Sequence, residues 1–389
     1  MRRLALSAAV VLLTAGLAVP AEAGRCARLK VPGAEYQQVA CLADLTTTGT
    51  VASGHTNPAD YAGLTHTGLP SPAGVPGVQI DGYFPDSSTT NTNHGWNHDA
   101  QFVIRLPERW NGGLVIAGSP GVRAQYANDK AISDDVLAKG FAYAATDKGN
   151  TGAEFYRDGV RPGDAIVEWN RRTTQLARAA RAVVAQRYGR APREVVAAGI
   201  SNGGYLVRWQ LENHPELYTR GVDLEGTLWT ADGPNLFTFL PPAIRGYEQQ
   251  KPELITAAGF DPRSRFLWDF HYTVYWKLTQ RIYAAELDPT YVGSEADYDY
   301  ADRPQARQAV RRIALTGRIG RPLVTIHGTY DSLLPITQDS DVYAAMVRRA
   351  GRSALFRYQR VEAGNHVDGL VDAYPDQLVP LVPLLRKAI

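Results

Sequence analysis

The residues Gly199-Ile200-Ser201-Asn202-Gly203 form a Gly-x-Ser-x-Gly pattern whose flanking sequence suits a turn between a strand and a helix. The apolar run REVVAAG leads into the pattern, and the helix-like run GYLVRWQLENH follows it. A serine on such a turn is held in a strained conformation that exposes its hydroxyl. Small residues at 199 and 203 let the strand and the helix pack closely. The pattern therefore predicts Ser201 as a nucleophile, with a phosphate-binding or merely tight turn as the alternative.

A serine hydroxyl is a poor nucleophile unless a base removes its proton, and the base in turn needs an orienting acid. Asp331 follows the strand-like run LVTIHG, and His366 follows the strand-like run FRYQRVEAG, so both are predicted on loops after strands. Serine, acid and histidine occur in this order in one known arrangement of such triads. Among the eight histidines, only His366 has the required place. Asp302 and Asp368 are the weaker alternatives to Asp331.

An attacked carbonyl becomes an oxyanion, which needs N–H donors that already point at it. The backbone N–H of Asn202, directly after the nucleophile, is one predicted donor. The turn after the strand-like run LVIAG supplies the other. Ser119 is the predicted donor of this turn, because Pro120 has no N–H; Gly118 and Gly121 are the alternatives, and an ordinary turn without this role remains open.

Further loops are predicted at the same edge of the sheet, since ligands bind beyond the carboxyl ends of parallel strands. One of them, DLEGTLWTADGP, contains Trp229, which is predicted either to line the substrate pocket or to belong to the core. Asp147, Lys148 and Asp223 are predicted polar supports.

Strand-like and helix-like runs alternate from residue 100 onward, which predicts an α/β fold with a mostly parallel sheet covered by helices on both faces. The predicted strands are 100–107, 112–118, 141–147, 193–199, 321–328 and 354–364. The predicted helices are 131–140, 164–189, 204–214 and 338–351. Residues 24–98 are predicted to be a loop-rich N-terminal segment, in which residues 44–98 contain many turn-forming residues and are predicted to form loops with short strands.

Residues 235–320 interrupt the alternation and contain 14 aromatic side chains among 86 residues. They are predicted to form a helical cap or lid inserted into the α/β core, which comprises residues 99–234 and 321–389. Most of the aromatic residues are expected to form the core of the cap itself, with a few facing a substrate.

The first 23 residues predict a secretory signal peptide. Two arginines precede an uncharged apolar stretch, and the small residues of AEA end at Ala23, after which cleavage is expected. A membrane anchor is the weaker interpretation, because a spanning helix needs about 20 apolar residues. The two cysteines of the chain, Cys26 and Cys41, would both remain after cleavage and are predicted to form a disulfide in an exported protein.

The composition excludes several other classes of protein. The 389 residues carry 41 basic and 39 acidic side chains, with no basic run or basic-aromatic stripe, so nucleic-acid binding has no support. No membrane association is expected after signal cleavage. The one His-x-x-x-His spacing, at His94 and His98, lies in a loop rich in glycine and asparagine, and no metal or organic cofactor is predicted.

These motifs together resemble the α/β-hydrolase superfamily, and in particular two groups of secreted esterases. The runs LPERWNGGLVIAG and LAKGFAYAATDKGNTG resemble the tannase and feruloyl esterase group. The SNGG, TDKG, HGTYDSLLP and NHVDGL segments resemble the extracellular hydroxybutyrate-oligomer hydrolases. The similarity covers residues 100–230 and 320–385, and the cysteines that link the triad in tannases are absent beside Ser201 and His366.

The resemblance implies an ester substrate, small or oligomeric. The prediction is a secreted serine hydrolase of carboxylic esters that acts through an acyl-enzyme, with short 3-hydroxybutyrate oligomers as the expected substrates. Feruloyl and other phenolic esters are the first alternative. A secreted serine peptidase with the same triad is the second, and a non-catalytic binding protein on the same scaffold is the third.

Overall fold

The computed structural model describes residues 28–52 and 57–389, without the side chains of residues 51 and 52. The predicted signal peptide and Cys26 lie outside the described residues. The disulfide therefore stays a prediction, and Cys41 lies on the first strand, opposite Val78. In the described residues, no helix is both long enough and apolar enough to cross a membrane.

Nine strands form one sheet in the order β1-β2-β3-β5-β4-β6-β7-β8-β9. The strands are β1 Tyr36–Leu42, β2 Gly77–Tyr83, β3 Gln101–Pro107, β4 Gly113–Gly118, β5 Ala142–Thr146, β6 Glu194–Ile200, β7 Arg220–Leu224, β8 Leu323–Gly328 and β9 Phe356–Val361. The six strands from β5 to β9 pair in parallel, whereas β1, β2 and β3 extend the sheet in antiparallel pairs. The prediction of a mostly parallel α/β sheet is confirmed.

Eleven α-helices lie in the described residues. They are α1 Thr47–Ala52, α2 Asp134–Ala138, α3 Asp164–Tyr188, α4 Asn202–Asn213, α5 Leu236–Glu248, α6 Pro252–Ala257, α7 Trp268–His271, α8 Lys277–Leu287, α9 Pro304–Arg311, α10 Ser340–Arg349 and α11 Val382–Ala388. The long predicted helix is α3, which ends where Gly189 adopts a left-handed backbone with φ of +71°. The predicted helix 131–140 is divided, because a π-turn over Asp129–Ser133 precedes α2.

Alternate residues of the central strands point into two separate hydrophobic cores, as expected for a sheet covered on both faces. On β4, Leu114 and Ile116 pack in one core, and Val115 and Ala117 pack in the other. The first core contains buried side chains of α3 and α4, and the second contains those of α2 and α11.

The sheet also shows where the N-terminal prediction was incomplete. Residues 24–98 contain two seven-residue strands, β1 and β2, and β2 pairs along its whole length with both β1 and β3. Glycines at both ends of the GVQIDGY run of β2 gave it the composition of a loop. Gly77 and Gly82 are required there, because a Cβ at either position would lie 2.3 Å from a carbonyl oxygen of a neighbouring strand.

Chain order places the site at the centre of this sheet. From β4 the chain moves to β5 on one side and then returns to β6 on the other. Such a reversal opens a crevice at the carboxyl ends of the strands. The segment that we call the inserted segment, residues 235–320, lies between β7 and β8 and contains α5 to α9. Its division from the rest as a separate cap stays a prediction.

Candidate active site

Ser201 occupies the turn between β6 and α4 with a backbone φ of +59°. A positive φ is strained for a residue with a Cβ and is stable only where the surroundings hold it. Its N–H donates to the carbonyl of Leu224 at the end of β7, over 2.9 Å. A Cβ on Gly203 would lie 2.1 Å from the carbonyl oxygen of Gly118 at the end of β4. The predicted strained turn and the requirement for glycine are both present.

The structure brings Ser201, His366 and Asp331 together, although they are separated by 130 and 35 residues in sequence. The Nε2 atom of His366 lies 3.0 Å from the Oγ atom of Ser201. Its Nδ1 atom lies 2.8 Å from the Oδ2 atom of Asp331. All three side chains are buried, so little water competes for these hydrogen bonds.

The loops after β8 and β9 fix the positions of Asp331 and His366 relative to each other. The Oδ1 atom of Asp331 accepts hydrogen bonds from the backbone N–H groups of Leu333 and Leu334, each at 2.8 Å. These two bonds leave Oδ2 directed at His366. The loops are also packed on each other, because a Cβ on Gly328 would lie 2.2 Å from the carbonyl oxygen of Gly364.

Asp331 is ionised within this buried site. Burial alone would raise its pKa, but the neighbouring His366 and His327 outweigh burial and hold the pKa of the carboxyl well below its usual range. His327 has the packing and hydrogen-bonding position that its place on β8 predicts. Its Nδ1 atom lies 2.7 Å from the hydroxyl of Ser340, and its Nε2 atom lies 2.9 Å from the carbonyl oxygen of Leu334.

Two alternatives from the sequence lie elsewhere. Asp368 accepts hydrogen bonds from the backbone N–H groups of Leu381 and Val382, and burial raises its pKa to about 6. Asp302 is exposed, in the inserted segment. Neither carboxyl is among the hydrogen-bond partners of His366 within the described chain.

Glu225 is a residue of this site that the sequence reasoning missed. It follows β7 directly, has a φ of +52° and is fully buried. Its Oε1 atom accepts a hydrogen bond from Gly328 N–H at 3.0 Å, and its Oε2 atom lies 3.8 Å from the Nδ1 atom of His366. Burial, together with the charge of Asp331, raises the pKa of Glu225 well above its usual value, which favours the protonated form of this carboxyl. The available signal was an acidic residue directly after a strand.

The ligand atoms of Glu225, Asp331 and His366 lie within 4.8 Å of one another, a spacing that a metal ion could use. Hydrogen bonds already occupy most of these ligand atoms, however. Both ring nitrogens of His366 face Ser201 and Asp331, and both oxygens of Asp331 accept hydrogen bonds.

A cavity of about 200 Å³ opens beside Ser201 and His366. It is smaller than the roughly 300–1,000 Å³ usual for ligand pockets. The inserted segment supplies one wall of mostly apolar side chains, and the turn after β4 supplies another. The wall from the inserted segment consists of Leu236, Tyr275, Leu278, Thr279, Ile282 and Tyr283.

Asn202 joins three parts of this site through its side chain. Its Nδ2 atom donates to the carbonyl oxygen of Gly121 at 3.1 Å and to the hydroxyl of Tyr283 at 2.5 Å. Its Oδ1 atom accepts a hydrogen bond from the hydroxyl of Thr227 at 3.0 Å. The residue at the start of α4 is therefore fixed to the turn after β4, to the loop after β7 and to the inserted segment.

The predicted oxyanion donor Ser119 and the predicted substrate-binding residue Trp229 do not line the cavity. Ser119 is fully buried, and its hydroxyl donates to the carbonyl of Thr146 at 2.8 Å, whereas residues 120–123 of the same turn reach the cavity wall. Trp229 is also fully buried, with its ring 5.7 Å from that of Phe237. The structure favours the core interpretation of Trp229 over the substrate-binding one.

Two protein families match separate parts of the chain. Residues 87–219 match the family described as tannase and feruloyl esterase. Residues 284–389 match the family described as 3HB-oligomer hydrolase. The first range contains Ser201, and the second contains Asp331 and His366.

The chain is also similar to the D-(-)-3-hydroxybutyrate oligomer hydrolase of Cupriavidus necator, with 30% identity over 122 residues. This match covers 27% of the chain and spans only 17% of that curated relative.

Three solved structures have a similar fold at low sequence identity. Feruloyl esterase B from Aspergillus oryzae has a TM-score of 0.59 and 12% identity, with 88% of this chain and 83% of that chain covered. Tannin acyl hydrolase from Aspergillus niger has a TM-score of 0.53 and 11% identity, with coverage of 95% and 87%. The rice cell wall degrading esterase LipA from Xanthomonas oryzae has a TM-score of 0.51 and 13% identity, with coverage of 90% and 97%. The predicted α/β-hydrolase fold and the resemblance to both esterase groups are confirmed.

Proposed function

We propose that this protein is a serine hydrolase of carboxylic esters, with Ser201 as nucleophile, His366 as general base and Asp331 as the acid that orients the base. The observation that carries the proposal is the pair of hydrogen bonds of His366, 3.0 Å to Ser201 and 2.8 Å to Asp331. The strained backbone of Ser201 and the ionised state of Asp331 support the same roles. The similarity to esterase families gives independent support.

The reaction follows from these positions. His366 takes the proton of Ser201 as the hydroxyl oxygen attacks the ester carbonyl, and Asp331 stabilises the imidazolium that forms. The tetrahedral intermediate collapses when His366 gives this proton to the departing alcohol, which leaves an acyl group on Ser201. Water then enters and loses a proton to His366 as its oxygen attacks the acyl carbonyl, and His366 returns this proton to the Oγ atom of Ser201 as the acid leaves. Protein side chains and water are sufficient for every step.

The developing oxyanion needs two N–H donors. We assign one to the backbone of Asn202, whose side chain is held on three sides. For the second donor, Gly121 is better supported than the predicted Ser119, because Gly121 reaches the cavity and its carbonyl is tied to Asn202. Gly121 has a φ of +50°, a conformation that favours glycine.

The proposed substrates are esters of short hydroxy acids such as 3-hydroxybutyrate oligomers. The small volume of the cavity and its wall of leucine and isoleucine side chains suit a short aliphatic acyl group. Phenolic esters are the second candidate, supported by the tyrosine rings of Tyr275 and Tyr283 in the same wall. The signal-like sequence of residues 1–23 supports the proposal that the enzyme acts after export.

The test compares the wild type with Ser201→Ala on one panel of substrates: 3-hydroxybutyrate oligomers, methyl ferulate, galloyl esters and peptide amides. Wild-type cleavage of the first group at the highest kcat/KM is expected. The Ser201→Ala variant should lose at least about 10⁴-fold in kcat and should no longer react with a phosphonate probe. An unchanged melting temperature is the control for folding. Retained ester turnover by this variant would refute the assignment, and faster cleavage of amides than of esters would indicate a peptidase.

A further inference from the structure

Arg123 is the one permanently charged residue in the cavity wall, within the described part of the chain. The other lining residues are apolar or neutral, apart from the proposed base His366. Arg123 lies on the turn after β4, two residues beyond Gly121, and so faces the same cavity as the nucleophile.

Neutral backbone groups hold this guanidinium in place. Its Nη1 atom donates to the carbonyl oxygens of Asp60 and Ala62, at 3.2 and 2.8 Å. The Nζ atom of Lys148 in turn donates to the carbonyl oxygen of Arg123 at 2.8 Å, which fixes the backbone at this point. Across the residues that the structure describes, no carboxylate forms an ion pair with Arg123, and no hydrogen-bond acceptor is paired with its Nε or Nη2 atoms.

An arginine that is held by backbone carbonyls and has no carboxylate partner is suited to binding an anion of a ligand. Burial lowers the pKa of Arg123, and Tyr275 and Asp60 offset only part of this effect. A partly buried cation without an acidic partner is costly, and a carboxylate relieves the cost through two parallel, charge-assisted hydrogen bonds. The two backbone carbonyls orient the group without neutralising it.

We propose that Arg123 binds a free carboxylate on the substrate, so that the enzyme prefers esters whose acyl or alcohol part ends in an acid. This inference rests on the proposed ester hydrolysis and specifies which class of esters the enzyme prefers. A 3-hydroxybutyrate dimer has such a carboxylate on its alcohol part, whereas simple alkyl or methyl esters lack one. Cleavage of the dimer consumes one water and gives two 3-hydroxybutyrate molecules.

The experiment uses a matched pair of substrates, the 3-hydroxybutyrate dimer and its methyl ester, with chromatography to follow cleavage of the internal ester. For the wild type, we expect kcat/KM to be about 10- to 100-fold higher for the free acid, the range of one charge-assisted contact. Arg123→Gln should raise the KM for the acid by a similar factor with little change in kcat. It should change the kinetics of the methyl ester by less than about threefold, while Arg123→Lys should retain part of the preference.

An unchanged melting temperature of Arg123→Gln serves as the control for folding. Equal wild-type kcat/KM for the acid and its methyl ester would overturn the inference while leaving the ester hydrolase intact. The inference would also be overturned if Arg123→Gln lowered kcat/KM equally for the acid and its methyl ester. If the wild type cleaves no ester, the proposed function fails as well. A cinnamoyl ester of a hydroxy acid, compared with methyl ferulate, shows whether the carboxylate preference extends to phenolic substrates.

A second inference depends on Glu225 and not on the identity of the substrate. One oxygen of this carboxyl accepts the N–H of Gly328, and the other has no hydrogen-bond partner within the described residues and lies 3.8 Å from the Nδ1 atom of His366. The charge of Asp331 is one of the causes that raise the pKa of Glu225. Removal of Asp331 would therefore favour ionisation of Glu225 beside the same imidazole nitrogen.

We infer that Glu225 is a positioning residue that substitutes for Asp331 as the orienting acid when Asp331 is absent. Asp331→Ala is the informative variant, because an asparagine amide would hold the wrong tautomer of His366. We expect Asp331→Ala to lose about 10²-fold in kcat and Asp331→Ala/Glu225→Gln to lose about 10⁴-fold, the cost of a triad without its acid.

The pH profile separates this role from a structural one. Residual activity of Asp331→Ala should rise with pH as Glu225 ionises, and this limb should be absent from Asp331→Ala/Glu225→Gln and retained in Asp331→Ala/Glu225→Asp. Both alanine variants lack the same hydrogen bonds to the loop after β8, so their ratio reports on Glu225 alone. Equal activities and identical pH profiles in the single and double variants would refute the inference.

Discussion

The carboxyl edge of the sheet and the inserted segment contribute different kinds of groups to one cavity. The edge supplies Ser201 and His366 to the cavity wall, with Asp331 hydrogen-bonded to His366, and each is held by backbone hydrogen bonds or by glycine contacts between strand ends. The inserted segment supplies mainly apolar side chains on α5 and α8. Groups that react must be held to within a fraction of an ångström, whereas an apolar wall needs only the right shape and volume.

The two regions also differ in how their charges are balanced. Near the edge, Arg208 on α4 is fully buried and pairs with Asp223 at 3.0 Å and with Asp339 at 2.9 Å. In the inserted segment, Arg281 is mostly exposed and pairs with Glu295 at 2.7 Å. Buried pairs lock elements together and are costly to break, whereas exposed pairs contribute little. The difference indicates a rigid reactive edge beside a wall that tolerates change.

The largest expected effect is on kcat, and it distinguishes a buried histidine of the sheet edge from a buried histidine of the inserted segment. His366→Ala removes the proposed base and should lower kcat by at least about 10⁴-fold. His271→Gln alters a histidine of α7 whose pKa burial lowers to about 3, so it is neutral at pH 7, and should change kcat by less than about tenfold. Steady-state kinetics on one p-nitrophenyl ester checks both. Similar losses in the two variants would remove the distinction between the regions.

The next largest effect concerns stability. Arg208→Met leaves the carboxylates of Asp223 and Asp339 buried without their partner, and should lower the free energy of unfolding by about 3–5 kcal/mol. Arg281→Met is the matched control in the inserted segment and should cost less than about 1 kcal/mol. Denaturant unfolding measures both. A cost for Arg281→Met as large as that for Arg208→Met would contradict the proposed difference in rigidity.

A third prediction tests whether the inserted segment sets the acyl preference. Ile282→Ala enlarges the cavity and should raise the kcat/KM of p-nitrophenyl hexanoate relative to the acetate by up to about tenfold. Val310→Ala removes a buried side chain of α9 that does not line the cavity and should leave this ratio within about twofold. If both variants shift the ratio equally, the effect comes from loosened packing and not from the wall.

The smallest effect is a dependence of stability on pH within the inserted segment. Burial raises the pKa of Glu286 to about 8, and its Oε1 atom accepts the N–H of Ala165 at 3.0 Å. The folded protein therefore binds the carboxyl proton of Glu286 more tightly than the unfolded chain does. The stability that the protonated carboxyl contributes is complete below about pH 4.3, the pKa in the unfolded chain, and is lost as the pH rises towards 8. Glu286→Gln cannot ionise.

Thermal unfolding of this variant and the wild type should give similar melting temperatures at pH 4, whereas at pH 9 the variant should melt about 2 °C or more above the wild type. A constant difference across this range would show that Glu286 ionises in the folded protein as readily as in the unfolded chain.

Several parts of the fold were predictable because their signals are local. The six strands and four helices assigned from periodicity occur within a few residues of their predicted bounds, apart from the divided helix before β5. The strands β1, β2 and β7 were not assigned. The strand β7 has only five residues and β2 begins with a glycine, and for all three strands the pairing with neighbours far along the chain supplies what the local pattern lacks.

The candidate site was likewise predictable only where its residues have a local signal in the sequence. Ser201 has a five-residue pattern, and Asp331 and His366 have positions after strands, so chain order alone selects them. Glu225 also follows a strand, but that strand, β7, was not assigned, and Arg123 and Tyr283 have no such pattern. They reach the cavity or the base because turns and a helix from three distant segments meet there.

The sequence by itself determined the elements and the order of the chemistry-bearing residues, because periodicity and turn patterns act over a few residues. Only the tertiary structure decided which groups touch. It gave Asp331 and not Asp368 the place beside His366, left Trp229 in the core and brought Gly121 to the cavity. These outcomes depend on packing between strand ends that lie far apart in sequence, and backbone close contacts such as that of Gly118 with Gly203 decide them within tenths of an ångström.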